Sequence, residues 1–346
     1  MARYILLRIG QALLVTWVAY TLAFFLLFAL PSDPVSLLLG PDATDISAEE
    51  RAALAAQYGF DKPLVVQYAT AFFNLLRGDL GYSIQMSSPV GSILAEAIGY
   101  TAQLAALGFL FALIFGIGIA VIASYAQNSW LRQALLSLPS LAVSIPAFWF
   151  GLLLIQIFSF RLQLFPAFSA EGLSSMILPA LTLALPTSAM IAQVFTRSLN
   201  VAINEAYSAT AFAKGTPRFA VVIRHALPNA LLPMLTITGL VVGQLLSGTV
   251  VTETVFSRPG LGRVIASAVS QQDIPVVLGA VLVGAALYSI TNLIVDLLYP
   301  LVDPRQRARF AKQSRIKKAE VSPAPELKTR KDKDHDNADS TVEYSV

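Results

Sequence analysis

Histidines, cysteines and paired carboxylates are the raw material of most active sites, and this chain has few of them in useful arrangements. His225 and His335 are its only histidines and it contains no cysteine, which excludes a histidine-based metal cluster, a thiolate site and a disulfide. No Gly-Lys dipeptide is present to build a phosphate-cradling loop of Walker A type. Catalytic residues, cofactor-binding residues and metal ligands are therefore not expected in this chain. The chemistry that remains is recognition, and it is concentrated in a polar insert at 199–228. From 201 to 214, helix formers place Ala202, Ala206, Ala209 and Ala213 on one face at spacings of three and four, small enough to let a partner come close. Glu205 puts a carboxylate near the start of this helix, and Lys214 puts a cation in its last turn, each suiting the local sign of the helix dipole. Gly215 is the residue type that ends a helix in the left-handed conformation. Thr216 can then cap a second short helix with Pro217 in its first turn, carrying Arg218, Arg224 and His225 until Pro228 perturbs the backbone. The expected product is a basic hairpin of two helices that projects from whatever holds its ends.

What holds its ends is membrane. Of 346 residues, 55% are hydrophobic and 13% charged, with a mean hydropathy of +0.65, values outside the range of ordinary soluble domains. Apolar runs occur at 9–30, 101–123, 135–158, 177–194, 231–251 and 276–298. Each is near the roughly 20 residues needed to cross about 30 Å of hydrocarbon as a helix, so an all-α polytopic membrane protein with six spans is expected. The first run lacks a small-residue cleavage site and reads as a retained anchor. Arg3 and Arg8 precede the first span; Arg197, Lys214, Arg218 and Arg224 lie between the fourth and fifth; Arg305, Arg307, Arg309, Lys312, Arg315, Lys317 and Lys318 follow the sixth. These positions predict cytoplasmic termini and a cytoplasmic hairpin. The acid-rich segment 31–98 should face outside, with a capping box at Ser47 and Glu50 opening a helix towards Tyr58 and a second amphipathic stretch at 64–76. A core domain at 99–303 and a basic tail at 304–346, of disordered composition, complete the division. The net charge of +3 is then a topology signal and points to no nucleic acid.

Inside the spans, Ala112, Gly116 and Ala120, and likewise Gly239, Gly243 and Ser247, recur every fourth residue and allow close helix contact. Pro146 and Pro186 predict kinks, with Ser144, Thr182 and Ser188 near enough to compensate. Gln103, Gln156, Gln193 and Gln244 are either glue between helices or the lining of a pathway. Asp296 sits close to the cytoplasmic end of the last span and reads as an interfacial or structural group.

The hairpin resembles the "EAA loop" of permease subunits of ATP-binding-cassette importers. That pattern runs E-A-A, three residues, Gly, nine residues, Ile, one residue, Leu-Pro. Gly215, Leu227 and Pro228 fall on its fixed positions, Ala211 matches its last Ala, while Ala209 stands in the Glu slot and His225 in the Ile slot. Both departures fit the peptide/nickel branch, whose loop resembles Glu205-Ala206-Tyr207 through Ala213-Lys214-Gly215 and Arg224-His225-Ala226-Leu227. The same branch is resembled by Pro31-Ser32-Asp33-Pro34, Leu39-Gly40-Pro41, Tyr58-Gly59-Phe60-Asp61 and Gly78-Asp79-Leu80-Gly81-Tyr82-Ser83, and by the run from Thr252 to Arg263 that contains Glu253, Phe256, Arg258, Pro259 and Gly260.

The resemblance implies a type I importer fold in the bacterial cytoplasmic membrane. It implies a B-type permease that carries di- or oligopeptides and partners a second homologous permease, two ATPase subunits that bind ATP and Mg²⁺, an external solute-binding protein and membrane lipid. The hairpin would be the ATPase-coupling surface. The element at 252–263 would be an external gate or binding-protein contact, or else a structural turn at the outer mouth. Nickel or metal chelates, glutathione-like peptides and some glycosides are alternatives within the branch. A secondary transporter or channel without a motor is the alternative from another class; the polar hairpin and the scarcity of intramembrane charge argue against it.

Overall fold

The computed structural model describes residues 2–29, 47–58, 61–83, 85–168 and 172–302. The motifs at 31–41, Gly59, Phe60 and the tail at 304–346, with His335, lie outside the described residues. Helix α1 (Ala2–Ala29) is followed by α2 (Ala48–Tyr58) and α3 (Leu64–Leu76). The expected capping box forms at α2: Glu50 N–H donates to Ser47 Oγ at 3.2 Å and Ser47 N–H to Glu50 Oε2 at 3.1 Å. A short antiparallel ladder of β1 (Tyr82–Ser83) and β2 (Ser88–Pro89) leads into α4 (Val90–Tyr125); nothing in the hydropathy pattern announces this ladder.

The run at 135–158 is broken outright at Pro146, more sharply than the expected kink. It is α5 (Ser129–Ser144) and then α6 (Ala147–Leu154), which continues as a π-helical turn, Ile155–Arg161, and the two directions differ by 100°. Pro146 is the N-cap of α6 rather than an interior residue, and Ser144 Oγ bonds Ser140 O within its own helix, so neither bridges the break. The pre-proline restriction on Ile145, which is extended at ψ 122°, is enough to stop the helix there.

Helices α7 (Ser174–Ile203), α8 (Ala206–Ala213), α9 (Arg218–Val221), α10 (Leu227–Val255), α11 (Leu261–Ser270) and α12 (Ile274–Val302) complete the described chain. Among the described residues four helices are long and apolar enough to cross a membrane: Ile5–Phe28, Val90–Tyr125, Ser174–Ile203 and Ile274–Leu297; counting the bent pair as one crossing makes five. Helix α10 also has 29 residues, with Leu240–Val255 as its apolar stretch.

The core forms where small residues let helices approach. Ala112 and Ala120 of α4 are fully buried in one cluster with Leu183, Ile191 and Phe195 of α7, and Gly116 faces the backbone carbonyl of Ser188 and the side chain of Ile191. Gly243 of α10 receives the ring of Tyr288 of α12. The starts of α4 and α12 share a second cluster, Val90, Leu94 and Ala97 with Val276, Val277 and Ala280. Those two helices therefore run in the same direction. Arg8 Nε meets Asp296 Oδ2 at 3.2 Å, which brings the start of α1 to the far end of α12 and gives Asp296 the structural part expected of it.

Candidate functional site

At one end of the bundle the insert at 199–228 folds as a hairpin, though not with the predicted joints. Residues 201–214 are not one helix: α7 ends at Ile203, Asn204 and Glu205 make a turn, and α8 begins at Ala206. Ala202 consequently belongs to the buried end of α7, while Ala206, Ala209 and Ala213 lie exposed on α8. The buried side of α8 is Ser208 and Ala211. Ser208 Oγ donates to Ala202 O at 2.8 Å, tying α8 back across the turn to α7. Glu205 is the N-cap residue, exposed and without a side-chain capping bond, so its carboxylate is available at the positive end of the helix.

Gly215 closes α8 with φ +79°, as its type predicts. Gly215 N–H donates to Phe212 O at 2.9 Å and Thr216 N–H to Ala211 O at 3.1 Å, the paired bonds of a Schellman stop. The next helix starts one residue later than expected, with Pro217 rather than Thr216 at the N-cap. It is also not a separate short helix. Arg218–Val221 passes through a π-helical turn, Val222–Ala226, into Leu227–Val255, with right-handed helical dihedrals at both joints. Pro228 falls in the first turn of α10 and is accommodated there. Arg218 reaches across to donate to Ser124 O at 3.1 Å, a cation on the C-terminal carbonyls of α4, and Phe219 packs edge-on against Tyr125. The hairpin is thus pinned to α7 and α4, while Lys214, Arg224, His225 and Pro228 stay exposed along it.

The element at 252–263 lies at the other end and is buried. Glu253 is 0% exposed and Arg258 1%, and Phe256 and Gly260 are buried as well, with Pro259 half-buried. In this conformation their side chains are turned into the chain rather than towards an external protein, and they hold together the end of the bundle remote from the hairpin. Glu253 Oε1 accepts from Thr101 Oγ1 at 2.7 Å, and Glu253 Oε2 accepts from Gly262 N–H at 2.7 Å. Thr101 Oγ1 in turn accepts from Leu261 N–H at 2.8 Å. The orphan amides that open α11 are satisfied by a carboxylate from α10 and a hydroxyl from α4. A Cβ on Gly260 would collide with the Glu253 carboxylate, which is why the turn there needs glycine. Arg258 Nη1 donates to Ser175 Oγ at 3.1 Å and also reaches Ser175 O at 3.4 Å. That carbonyl has no intrahelical donor, because Pro179 four residues on has no N–H. Arg258 is further attracted to Glu253.

Gln103, Gln156, Gln193 and Gln244 are all exposed on the single chain, so none acts as glue inside it. Gln193 lines a cavity of about 770 Å³ between α5 and the end of α7, together with Pro139, Thr196, Arg197, Asn200 and Glu205. The structure thereby joins one predicted pathway residue to one predicted docking residue and leaves the other three glutamines elsewhere. Thr101, Ser175 and Ser208 carry side-chain bonds of the two sites, and the backbone carbonyl of Ser124 accepts from Arg218; none was singled out from sequence, because a lone Ser or Thr, or a carbonyl at a helix end, gives no local sign of its partner.

With this geometry in place, comparison with known proteins is informative. Residues 112–308 match the family model described as binding-protein-dependent transport system inner membrane component, and residues 1–105 match the model for the N-terminal part of such membrane components. A putative peptide transport system permease protein of Brucella abortus is 36% identical over 315 residues, covering 89% of this chain and 99% of the relative. The glutathione transport system permease protein GsiC of Salmonella choleraesuis is 36% identical over 308 residues with the same coverage. Among solved structures, one described as inward-facing conformations of the MetNI methionine ABC transporter aligns with a TM-score of 0.51 at 15% identity, covering 61% of this chain and 96% of that one. That likeness establishes the shared fold.

Proposed function

The chain belongs to the binding-protein-dependent transport system inner membrane components, and on that premise we propose that it carries di- or oligopeptides inward, driven by ATP hydrolysed on partner subunits docked at the hairpin. It is the membrane permease of an ABC importer, a multi-pass protein of the bacterial inner membrane that works with an ATPase and a substrate-binding protein. The peptide assignment is supported by relatives named for peptide and glutathione transport over nearly their full length. We place a second, homologous permease and two ATPases in the complex, ATP and Mg²⁺ on the ATPases, six crossings in this chain and both its termini in the cytoplasm.

The observation that carries the coupling role is the geometry of α8. Its Ala206, Ala209 and Ala213 face is exposed and small, its Ser208 and Ala211 face is locked to the bundle, and its N-terminal carboxylate is open. A docked subunit that moves the hairpin acts on α7 through Ser208 of α8 and on α4 through Arg218 of α9. At the other end, the Glu253–Thr101 bonds link α10, α4 and α11, so a rearrangement of α4 against α10 has to pass through that cluster; we assign it the role of outer gate hinge. Alternating access then requires two arrangements of this frame biased by nucleotide on the partner. The test is uptake of labelled peptide by the complex reconstituted with its ATPases and binding protein. Uptake that stops without ATP is expected. Uptake that persists without ATP, or recovery of an intact transporter lacking any ATPase, would sink the assignment.

A further inference from the structure

Helix α3 (Leu64–Leu76) has no charged residue in its 13 positions, yet it is not buried in the bundle. One side packs on α1 and the start of α12: Tyr68, Ala71, Phe72 and Leu75 lie against Tyr20, Phe24 and Leu278. Tyr68 is held by Thr21 Oγ1 at 2.8 Å and by the indole N–H of Trp17 at 3.0 Å, and its ring stacks on Phe25 at 5.4 Å between centroids. The other side has no partner among the described residues. Val65 is 71% exposed, Phe73 61% and Leu76 67%, with Val66 beside them. The one hydroxyl on that side, Thr70 Oγ1, is spent on Val66 O at 2.9 Å.

The contacts on α1 and α12 fix the depth of this helix. Thr21 lies seven residues inside Phe28, the end of the apolar stretch of α1, which at the rise of an α-helix is about 10 Å below it. Leu278 lies four residues inside the start of α12 at Ile274, about 6 Å in. A helix of 13 residues is about 20 Å long, too short to cross the hydrocarbon. Both its ends carry exposed charges, Asp61 and Lys62 before it and Arg77 and Asp79 after it. Helix α3 therefore lies beside the spanning helices with polar ends and an apolar flank, and α1, on which it packs, exposes Leu22 and Leu26 at the same level of the bundle.

We propose that α3 is an interfacial helix that lays Val65, Phe73 and Leu76 into the lipid of one leaflet, at the end of the bundle remote from the coupling hairpin. The proposal rests on the protein being a multi-pass membrane protein and is independent of the solute it carries. Its occupant is lipid because the face is apolar, uncharged and level with the exposed leucines of α1, while charge is confined to the two ends.

The absence of cysteine from the chain makes the test direct. Phe73→Cys and Val65→Cys are each spin-labelled in the complete complex in bilayers, and collision with oxygen and with a water-soluble paramagnetic nickel chelate is measured. Leu26→Cys provides the lipid-facing reference and Glu49→Cys the aqueous one. Labels at both α3 positions should behave like Leu26→Cys, preferring oxygen and reporting a depth of about 5–10 Å below the headgroups. Collision with the nickel chelate equal to that of Glu49→Cys would overturn the proposal. So would a signal that becomes immobile on adding the solute-binding protein, which would make the face a protein contact. Using two positions guards against a local defect at either one, and ATP-driven uptake by each labelled complex confirms that the fold is intact.

Discussion

Replacing Glu253 with alanine should loosen the mouth of the transporter without touching the hairpin. The carboxylate accepts from Thr101 Oγ1 and from Gly262 N–H, both at 2.7 Å, in a fully buried site. Alanine leaves those two donors without an acceptor, at about 1–3 kcal/mol each. The two donors together set the total at about 3–5 kcal/mol. Since each 1.4 kcal/mol is a factor of ten, the local opening equilibrium should rise by roughly 10²- to 10⁴-fold. Hydrogen–deuterium exchange on the purified complex, read in peptides covering Leu261 and Gly262, measures this. Glu253→Gln retains the shape and one acceptor, so it should fall between wild type and alanine. Amides of Leu261 and Gly262 that exchange at wild-type rates in Glu253→Ala would refute the assignment of this carboxylate as the cap of α11.

Gly215→Val places a β-branched residue at φ +79°, a strain of about 1–2 kcal/mol; ATP hydrolysis should continue while peptide uptake falls, and normal uptake would count against a coupling role for the turn. Glu205→Lys should release the ATPase on co-purification more readily than Glu49→Lys, because Glu205 is exposed at the start of α8 and Glu49 lies in the remote helix α2; equal retention would mean that the docking surface is misplaced. In Gly116→Ala the new Cβ would fall 2.6 Å from Ile191 Cγ2 and 2.9 Å from Ser188 O, an overpacking worth about 1–3 kcal/mol, seen as a lower melting temperature of the complex; an unchanged melting temperature would show that α4 and α7 can separate freely.

The sequence was most legible where one residue type has a single use. Gly215 ends its helix with positive φ, and the small-residue steps at Ala112, Gly116 and Ala120 mark the α4–α7 contact. It was least legible where another residue type does the same job. Ser257 and Gln272 take positive φ to stop α10 and α11 through the same pair of backbone bonds that Gly215 uses, yet neither type signals a stop. The break at Pro146 was visible as a perturbation, but its angle of 100° depends on what α6 packs against, including Phe256 near Gly151. For the element at 252–263 the motif left two readings open, an external contact or gate and a structural turn, and the buried hydrogen bonds it makes are those of the structural turn. Arg258 goes inward to a carbonyl freed by Pro179 more than seventy residues earlier. Helix periodicity cannot register a bond of that separation.

The π-helical turn at Val222–Ala226 is a store of slack. An α-helix advances about 100° per residue while rising only about 1.5 Å, and a π turn spreads much the same rotation over one residue more. The extra residue is absorbed locally, so the helices on either side keep their rotational phase. A deletion in an ordinary α-helical turn of α10 has no such reserve and would turn Arg218 and the alanine face of α8 through about a quarter of a circle relative to the rest of the span. Single-residue deletions within 222–226 should therefore be tolerated better than deletions in the α-helical turns that follow.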